Sequence, residues 1–464
     1  MVLSNKKGFV LVLGIVLMFA LLVTGCGGSG DQSSDQQAQQ QEQEKSQAKE
    51  ESSSDKQVVK VGVGNVGKEF EVTKKAAKMY EEENPNVEIE LVSMPESSSE
   101  RYSLYLQYLE AQSNKLDVYQ TDVIWSGDMG EHFIDFKNHM SESEIDKFFT
   151  GSIKNNTVNG RLVAIPWFID APIMYYRTDL LEKYGFDHPP KTWDEMEKMA
   201  KKVQKGERAE GKQDFWGFVW QGEAYEGLTC DALEWVYSNG GGVIVSPDKK
   251  VTINNEKAVD AINMAADWVG EISPPGVTGM KEEDSRKMWQ GGHALFMRNW
   301  PYAYPLAKGD DSAVKGKFDI APLPNGDSGH SAATLGGWQL AVSKYSDNKD
   351  AAADVVKFLT SYKIQKLRAL EAGLTGTRAA LYDDEEIINE NPYFKTLLDV
   401  FQNGTPRPST PTAPNYNEVS TAFFKAVYSV LNGEKEAGSA LRSLEYKLKD
   451  ITGFESGEPT KTLK

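Results

Sequence analysis

Val58-Val59-Lys60-Val61-Gly62-Val63-Gly64, then a helical stretch from Phe70 to Glu83, an Asn84-Pro85-Asn86 stop and a second apolar run from Val87 to Val92, give a strand, a helix and a strand in that order. Short apolar runs bounded by turn residues read as buried strands, and the Asn-Pro-Asn triplet marks the end of the helix. A strand-helix-strand opening returns the second strand parallel to the first, so it predicts an α/β lobe with a largely parallel sheet and helices on both faces. Working outward, a further helix is expected around Arg101 to Ser113 and a further strand at Val118 to Trp125.

A second group of elements starts after Leu162 to Pro166, where strand-like Ile173 to Arg177 leads to helices around Trp193 to Lys205 and Leu228 to Ser238. Gly240-Gly241-Gly242 breaks the chain, and Val243 to Val245 and Val251 to Ile253 flank Ser246-Pro247-Asp248 as a small hairpin. Phe318 to Leu323 and Gly337 to Val342 regain strand character. From Lys349 onward the pattern is mostly helical, most clearly at Ala351 to Thr360 and Glu418 to Leu431. No repeat of fixed period is present. Roughly 400 residues after the N-terminal region exceed what one hydrophobic core usually holds, which predicts two α/β lobes with the chain crossing between them more than once.

The N-terminus reads as an export signal. Lys6 and Lys7 precede an uncharged apolar run from Phe9 to Val23, which is short for a membrane span. The run ends in Leu22-Val23-Thr24-Gly25-Cys26, which resembles the bacterial lipobox, so residues 1–25 are expected to be a signal peptide and Cys26 the lipidated start of the mature chain. An ordinary signal peptide with a chance cysteine is the alternative. Residues 26–56 are nearly all small, polar or charged, too poor in apolar surface to offset the entropy of ordering, and read as a disordered tether.

Composition narrows the function. Of two cysteines, a lipidated Cys26 would leave Cys230 without an intramolecular partner, so disulfides do not hold the fold. A formal net charge of -17 disfavours nucleic acid and anionic membrane as ligands, since both need a basic surface. Ten Trp and nineteen Tyr lean towards carbohydrate, whose apolar ring faces stack on aromatics, although a purely core role explains them equally well.

Several residues could carry chemistry. Gly62-Val63-Gly64-Asn65-Val66-Gly67 formally matches a dinucleotide-binding G-x-G-x-x-G, but the same glycines also let a loop turn tightly or approach a ligand. Glu69 follows it, either on the rim of a cleft or as a solvated acid in the first turn of a helix. Asp122 and Asp170 stand among apolar residues, where a carboxylate needs an ion-pair partner or a hydroxyl-rich ligand; Arg177 could satisfy Asp170 internally. Pro406-Arg407-Pro408 stiffens the backbone around a five-donor side chain, which then points either to a ligand or into solvent. Trp300 and Trp338 are bounded by turn residues and could face a cleft, whereas Trp220, Trp235 and Trp268 lie inside regular elements and read as core. There is no G-x-S-x-G, H-E-x-x-H, EF-hand or Walker pattern, and His132 and His139 are too loosely spaced for a compact metal motif. Neither a catalytic group, a metal nor a cofactor is expected.

The chain resembles the family 1 extracellular solute-binding proteins of ABC importers, nearest to the trehalose/maltose-binding branch, from Val58 to Thr452. The resemblance rests on Asp122-Val123-Ile124-Trp125, Pro166 to Arg177, Met288 through Trp300, Leu335-Gly336-Gly337-Trp338, and Arg407-Pro408 through Tyr416. It implies a periplasmic-binding-protein-like type II clamshell of two α/β lobes joined by a multi-stranded hinge. The lobes are expected over 57–166 plus about 302–345, and 167–301 plus about 346–464. It further implies a monomer at the extracytoplasmic face of the membrane, touching the bilayer only through its lipid, that binds a mono- or oligosaccharide and passes it to ABC permease subunits. Glu69, Asp122 and Asp170 would hold sugar hydroxyls, Trp300 and Trp338 would stack on sugar rings, Gly336 would offer a backbone contact and Arg407 a donor. Phe168 stands where the branch often has tyrosine, which removes one phenolic hydrogen bond. A secreted hydrolase using two of the same carboxylates, and a sugar-binding sensor or adhesin without transport, are the rival readings.

Overall fold

The structure, a computed structural model, describes residues 56–459. The expected signal peptide, Cys26 and all of the tether except Lys56 lie outside the described residues. In chain order the strands are β1 (Gln57–Val63), β2 (Val87–Ser93), β3 (Val118–Asp122), β4 (Thr157–Val158), β5 (Arg161–Leu162), β6 (Ile165–Asp170) and β7 (Ile173–Arg177). They continue with β8 (Trp216–Val219), β9 (Lys250–Val251), β10 (Ala294–Asn299), β11 (Phe318–Ala321), β12 (Gly336–Val342) and β13 (Glu455–Ser456).

Two sheets organise the fold, one in the order β2-β1-β3-β12-β6 and the other in the order β11-β7-β10-β8. In the first, β1 runs parallel to β2 and β3, as the opening predicts, while β12 enters from the opposite end and is antiparallel to β3 and β6. Alternation along β1 buries Val59, Val61 and Val63 completely. They face Val72, Ala76 and Tyr80 of the helix Glu69–Glu83, spaced four apart on one helical face, and share a cluster with Val355, Val356 and Leu359 of the helix Lys349–Leu359. The other face of the sheet is covered by Tyr102, Tyr105 and Leu109 of the helix Ser98–Glu110. In the second sheet, consecutive residues of β7 divide between two clusters, with Met174 on one side and Ile173 and Tyr175 on the other. Trp220, Trp235 and Trp268 are buried core, as their positions suggest.

Three boundaries differ from expectation. The chain leaves the first sheet at Ala171-Pro172 and not at 166/167, because β6 runs to Asp170 and pairs with β12 on both sides of a bulge at Trp167. The segment from Phe318 to Ala321 belongs to the second sheet, where its antiparallel register on β7 aligns Phe318 with Arg177 and Ala321 with Met174. The helices Lys349–Leu359 and Tyr362–Ala372 pack on the first sheet: β12 runs away from the crossing, from Gly336 opposite Asp170 to Val342 opposite Val118, so the chain emerges at the far end of that sheet and the helices fold back on it. The last two long helices, Tyr416–Leu431 and Ala437–Thr452, do lie on the second lobe. The expected strand at Val118 to Trp125 stops at Asp122, where Trp125 N–H bonds back to Asp122 O and turns the chain.

Candidate functional site

The carboxyl ends of β1, β3 and β6 and the entry of β12 meet along one edge of the first sheet, the edge where open α/β sheets form their ligand crevices. A cavity of about 720 Å³, counting its open mouth, lies there between the two lobes. Glu69, Asp122, Phe168, Asp170, Trp300, Gly336, Trp338 and Arg407 all line it. Sheet register explains much of this convergence. Trp338 of β12 stands opposite Asp122 of β3 on one side and Phe168 of β6 on the other, and Gly336 stands opposite Asp170.

The acids differ in how they are held. Glu69 is buried at the start of its helix and accepts a hydrogen bond from Gln120 Nε2 at 2.8 Å, while the Arg368 guanidinium lies 3.6 Å away. Burial raises the Glu69 pKa, and the charges of Arg368 and Arg101 pull against that rise. Asp170 has no ion-pair partner among the described residues; its carboxylate accepts a long bond from Thr375 Oγ1 at 3.4 Å. Arg177 does not satisfy Asp170, because it is engaged by Asp179 at 2.7 and 2.6 Å. Burial, reinforced by the Glu69 charge, pushes Asp170 well above the usual carboxylate range.

Arg407 points neither freely to a ligand nor into solvent. Its Nη2 donates to Asp122 Oδ1 at 2.8 Å and its Nη1 to Glu226 Oε1 at 2.9 Å, leaving Nε buried without a partner. Glu226 also accepts from Tyr416 OH and Ser420 Oγ, each at 2.6 Å. Arg407 therefore ties a strand end of the first lobe to the helix Glu226–Ser238 of the second. Two further bonds cross the cleft directly, from Glu226 N to Ser99 Oγ at 3.1 Å and from Glu283 N to Glu96 Oε1 at 3.3 Å.

The aromatic walls are braced from behind. Arg298, gripped by Glu234 at 3.0 and 2.6 Å, lies 4.5 Å from the Trp300 ring centre. A Cβ on Gly336 would come within 3.1 Å of that indole, so the absence of a side chain lets the ring lie against the strand. Trp338 meets Trp125 edge-on at 5.6 Å and carries the Arg101 guanidinium 4.3 Å from its centre.

The glycines of the G-x-G-x-x-G stretch are explained by packing. Added Cβ atoms would strike the Tyr105 hydroxyl at Gly62, the Glu69 carboxylate at Gly64 and the Tyr302 ring at Gly67, where φ is also +57°. Cys230 is a free, buried thiol on the cavity wall, and burial raises its pKa well above the ordinary value. Among the described residues no group of three or more His, Cys, Asp and Glu is placed to hold a metal ion, and no helix is long and apolar enough to cross a membrane.

Residues 65–366 match the family described as bacterial extracellular solute-binding protein. The chain belongs to that family. Among the relatives of this solute-binding protein is the "Probable ABC transporter-binding protein" of Deinococcus radiodurans, 47% identical over 389 residues, which are 84% of this chain and 92% of that one. The structure of the maltose-bound T. maritima MalE3 superposes with a TM-score of 0.81 at 42% identity, covering 85% of this chain and 99% of the other. A Thermotoga lettingae solute-binding protein with bound alpha-D-tagatose shares the fold, with a TM-score of 0.76 at 22% identity, covering 86% and 99%. The architecture is that of a type II binding protein.

Sequence reasoning missed the polar residues that helices bring to the cavity of this solute-binding protein, notably Arg101, Glu226 and Glu282. Each lies in the first turn of its helix, where an acid or a polar residue is commonplace, so local sequence carried no distinguishing signal.

Proposed function

We propose that this chain binds a neutral saccharide, of the maltose or trehalose type, in the cleft and delivers it to the permease of an ABC importer. In this reading it acts as a monomer held at the extracytoplasmic face by lipid on Cys26. The observation that supports it is the joint lining of one cavity by Trp300, Trp338, Asp170 and Glu69. A pyranose presents apolar C–H faces and a rim of hydroxyls. Indoles cover such faces, and carboxylates accept from such hydroxyls. Asp170, buried with little internal compensation, gains most from a hydroxyl donor. The 42% identical maltose-bound relative supports the same ligand class.

Binding would favour closure because ligand groups come from both lobes: Glu69, Asp122 and Asp170 from the first, Trp300 and Glu226 from the second. Intrinsic tryptophan fluorescence during titration with mono-, di- and trisaccharides tests the reading. A saturable change with a disaccharide class is expected, with no glucose released from maltose. No response across the panel refutes the saccharide assignment, and released glucose refutes the binding-only role.

A further inference from the structure

We infer that Arg368, which lies behind the cavity and does not line it, is a positioning residue that fixes the Glu69 carboxylate as a charged acceptor for the ligand; this rests on the saccharide reading. Arg368 belongs to the helix Tyr362–Ala372 and is 1% exposed. Its guanidinium lies 3.5 Å from the centre of the Trp167 ring and 5.3 Å from that of Phe168, so two rings of β6 hold it in place. Nη1 donates to Thr73 Oγ1 at 2.6 Å, and that hydroxyl donates in turn to Glu69 O at 2.8 Å. Nη2 lies 3.6 Å from Glu69 Oε1. Arg368 thus addresses both the backbone and the side chain of the first residue of the helix Glu69–Glu83. Its Nη2 and Nε are buried and meet no hydrogen-bond acceptor among the described residues. As scaffolding alone such a cation is costly, since an apolar side chain would fill the space without dehydrating a charge.

What the cation supplies is charge beside a buried acid. Burial pulls the pKa of Arg368 down to about 9, still above neutrality, and Glu69 and Asp170 sustain its charge. The other partner of Glu69 Oε1 is the neutral amide of Gln120, itself oriented by Gly64 N, which donates to Gln120 Oε1 at 2.6 Å. Gln120 and Arg368 both address Oε1, which leaves Oε2 for the cavity that Glu69 lines. The titratable and charged groups facing Glu69 are Arg368 from the helix Tyr362–Ala372, Arg101 and Tyr105 from the helix Ser98–Glu110, and Asp170 from β6. Of the two cations, Arg368 opposes the effect of burial on Glu69 more strongly. Arg101 has Nε and Nη2 turned to Pro95 O, at 3.2 and 2.8 Å, and Asp170 can add only like charge. Removing Arg368 therefore makes Glu69 take up its proton at a higher pH, and a protonated Glu69 is a poorer acceptor for a hydroxyl.

Calorimetry with maltose between pH 5.5 and 8.5 tests the assignment in the parent chain, R368M, R368K, T73V, E69Q and the double variant R368M/E69Q. Maltose carries no charge, so any change of Kd with pH arises in the protein. R368M is expected to bind about tenfold or more weakly than the parent at pH 5.5 and within about threefold at pH 8.5, where Glu69 ionises without help. R368K keeps the charge and should recover part of the low-pH affinity. In the E69Q background the same arginine substitution should produce no loss that depends on pH. T73V removes just the hydroxyl that orients the guanidinium and should shift the profile in the same direction by a smaller amount; it decides the matter if R368M fails to fold. A deficit equal at every pH would mean a purely structural role and overturn the inference, as would a pH-dependent deficit that survives in the E69Q background or an unchanged profile in the variants that fold. A parent chain that binds no neutral sugar at any pH overturns the saccharide reading itself, which is a different outcome.

Discussion

Replacing Arg407 with methionine should damage the fold more than the loss of one side chain suggests. Methionine roughly fills the volume of the stem but removes the cation bonded to both Asp122 and Glu226, at 2.8 and 2.9 Å. Breaking a buried ion network by deleting one member typically costs about 3–5 kcal/mol, because the orphaned charge stays buried. The two orphans are not equivalent. Glu226 keeps hydroxyl donors from Tyr416 and Ser420, whereas Asp122 keeps only the Ile124 N–H at 3.4 Å. Adding D122N to R407M should therefore restore more stability than adding E226Q. Chemical denaturation followed by fluorescence gives these free energies. The pH dependence has a definite sign. Burial raises the Glu226 pKa in the folded state, so the stability from its protonated form is present below the unfolded carboxylate range near 4.3 and is lost as pH rises through the folded value. Without Arg407 that rise grows, and the R407M deficit should shrink as the buffer approaches pH 4. An R407M chain within 1 kcal/mol of the parent at pH 7, or a deficit that does not change with pH, refutes the account.

Two further substitutions probe the cavity. D170N should raise the denaturation midpoint at pH 8, by about 1–3 kcal/mol in stability, with the advantage fading as pH falls below the unfolded aspartate value of about 3.9, where the carboxyl is protonated folded and unfolded alike; it should also weaken sugar binding. No midpoint shift would mean the Asp170 charge is compensated. G336A places a methyl 3.1 Å from the Trp300 ring, so sugar affinity measured by calorimetry should fall while stability changes little; an unchanged Kd would remove that ring from the binding surface.

The sheets were legible because their strands are short apolar runs, and β1, β2, β7 and β12 lie where alternation and turn residues put them. Lobe membership is less legible because it depends on pairing partner and on the end of the sheet at which a strand exits: Phe318–Ala321 pairs with β7, and the helix Lys349–Leu359 packs on the first sheet. Asp122 and Asp170 stood out as acids in apolar surroundings. The ion pairs of Arg407 did not, since its partners lie 285 and 181 residues away and a chain read locally has no access to them. Arg101 and Glu226 looked like ordinary first-turn polar residues. Only the tertiary packing that buries them sets them apart.

Gly336 and Asp170 face each other across two strands at the point where β6 gives way to Ala171-Pro172 and the second lobe. In the proposed reading, the floor that would recognise the ligand is also where the chain passes between the lobes, the axle on which closure would turn. Breeding a new specificity through these two positions would disturb the opening equilibrium along with the chemistry. Positions such as Ser98 and Glu282, carried on helices at the cavity wall, leave that crossing alone. Diversification of ligand choice in chains built this way should accumulate on the walls before it reaches the floor.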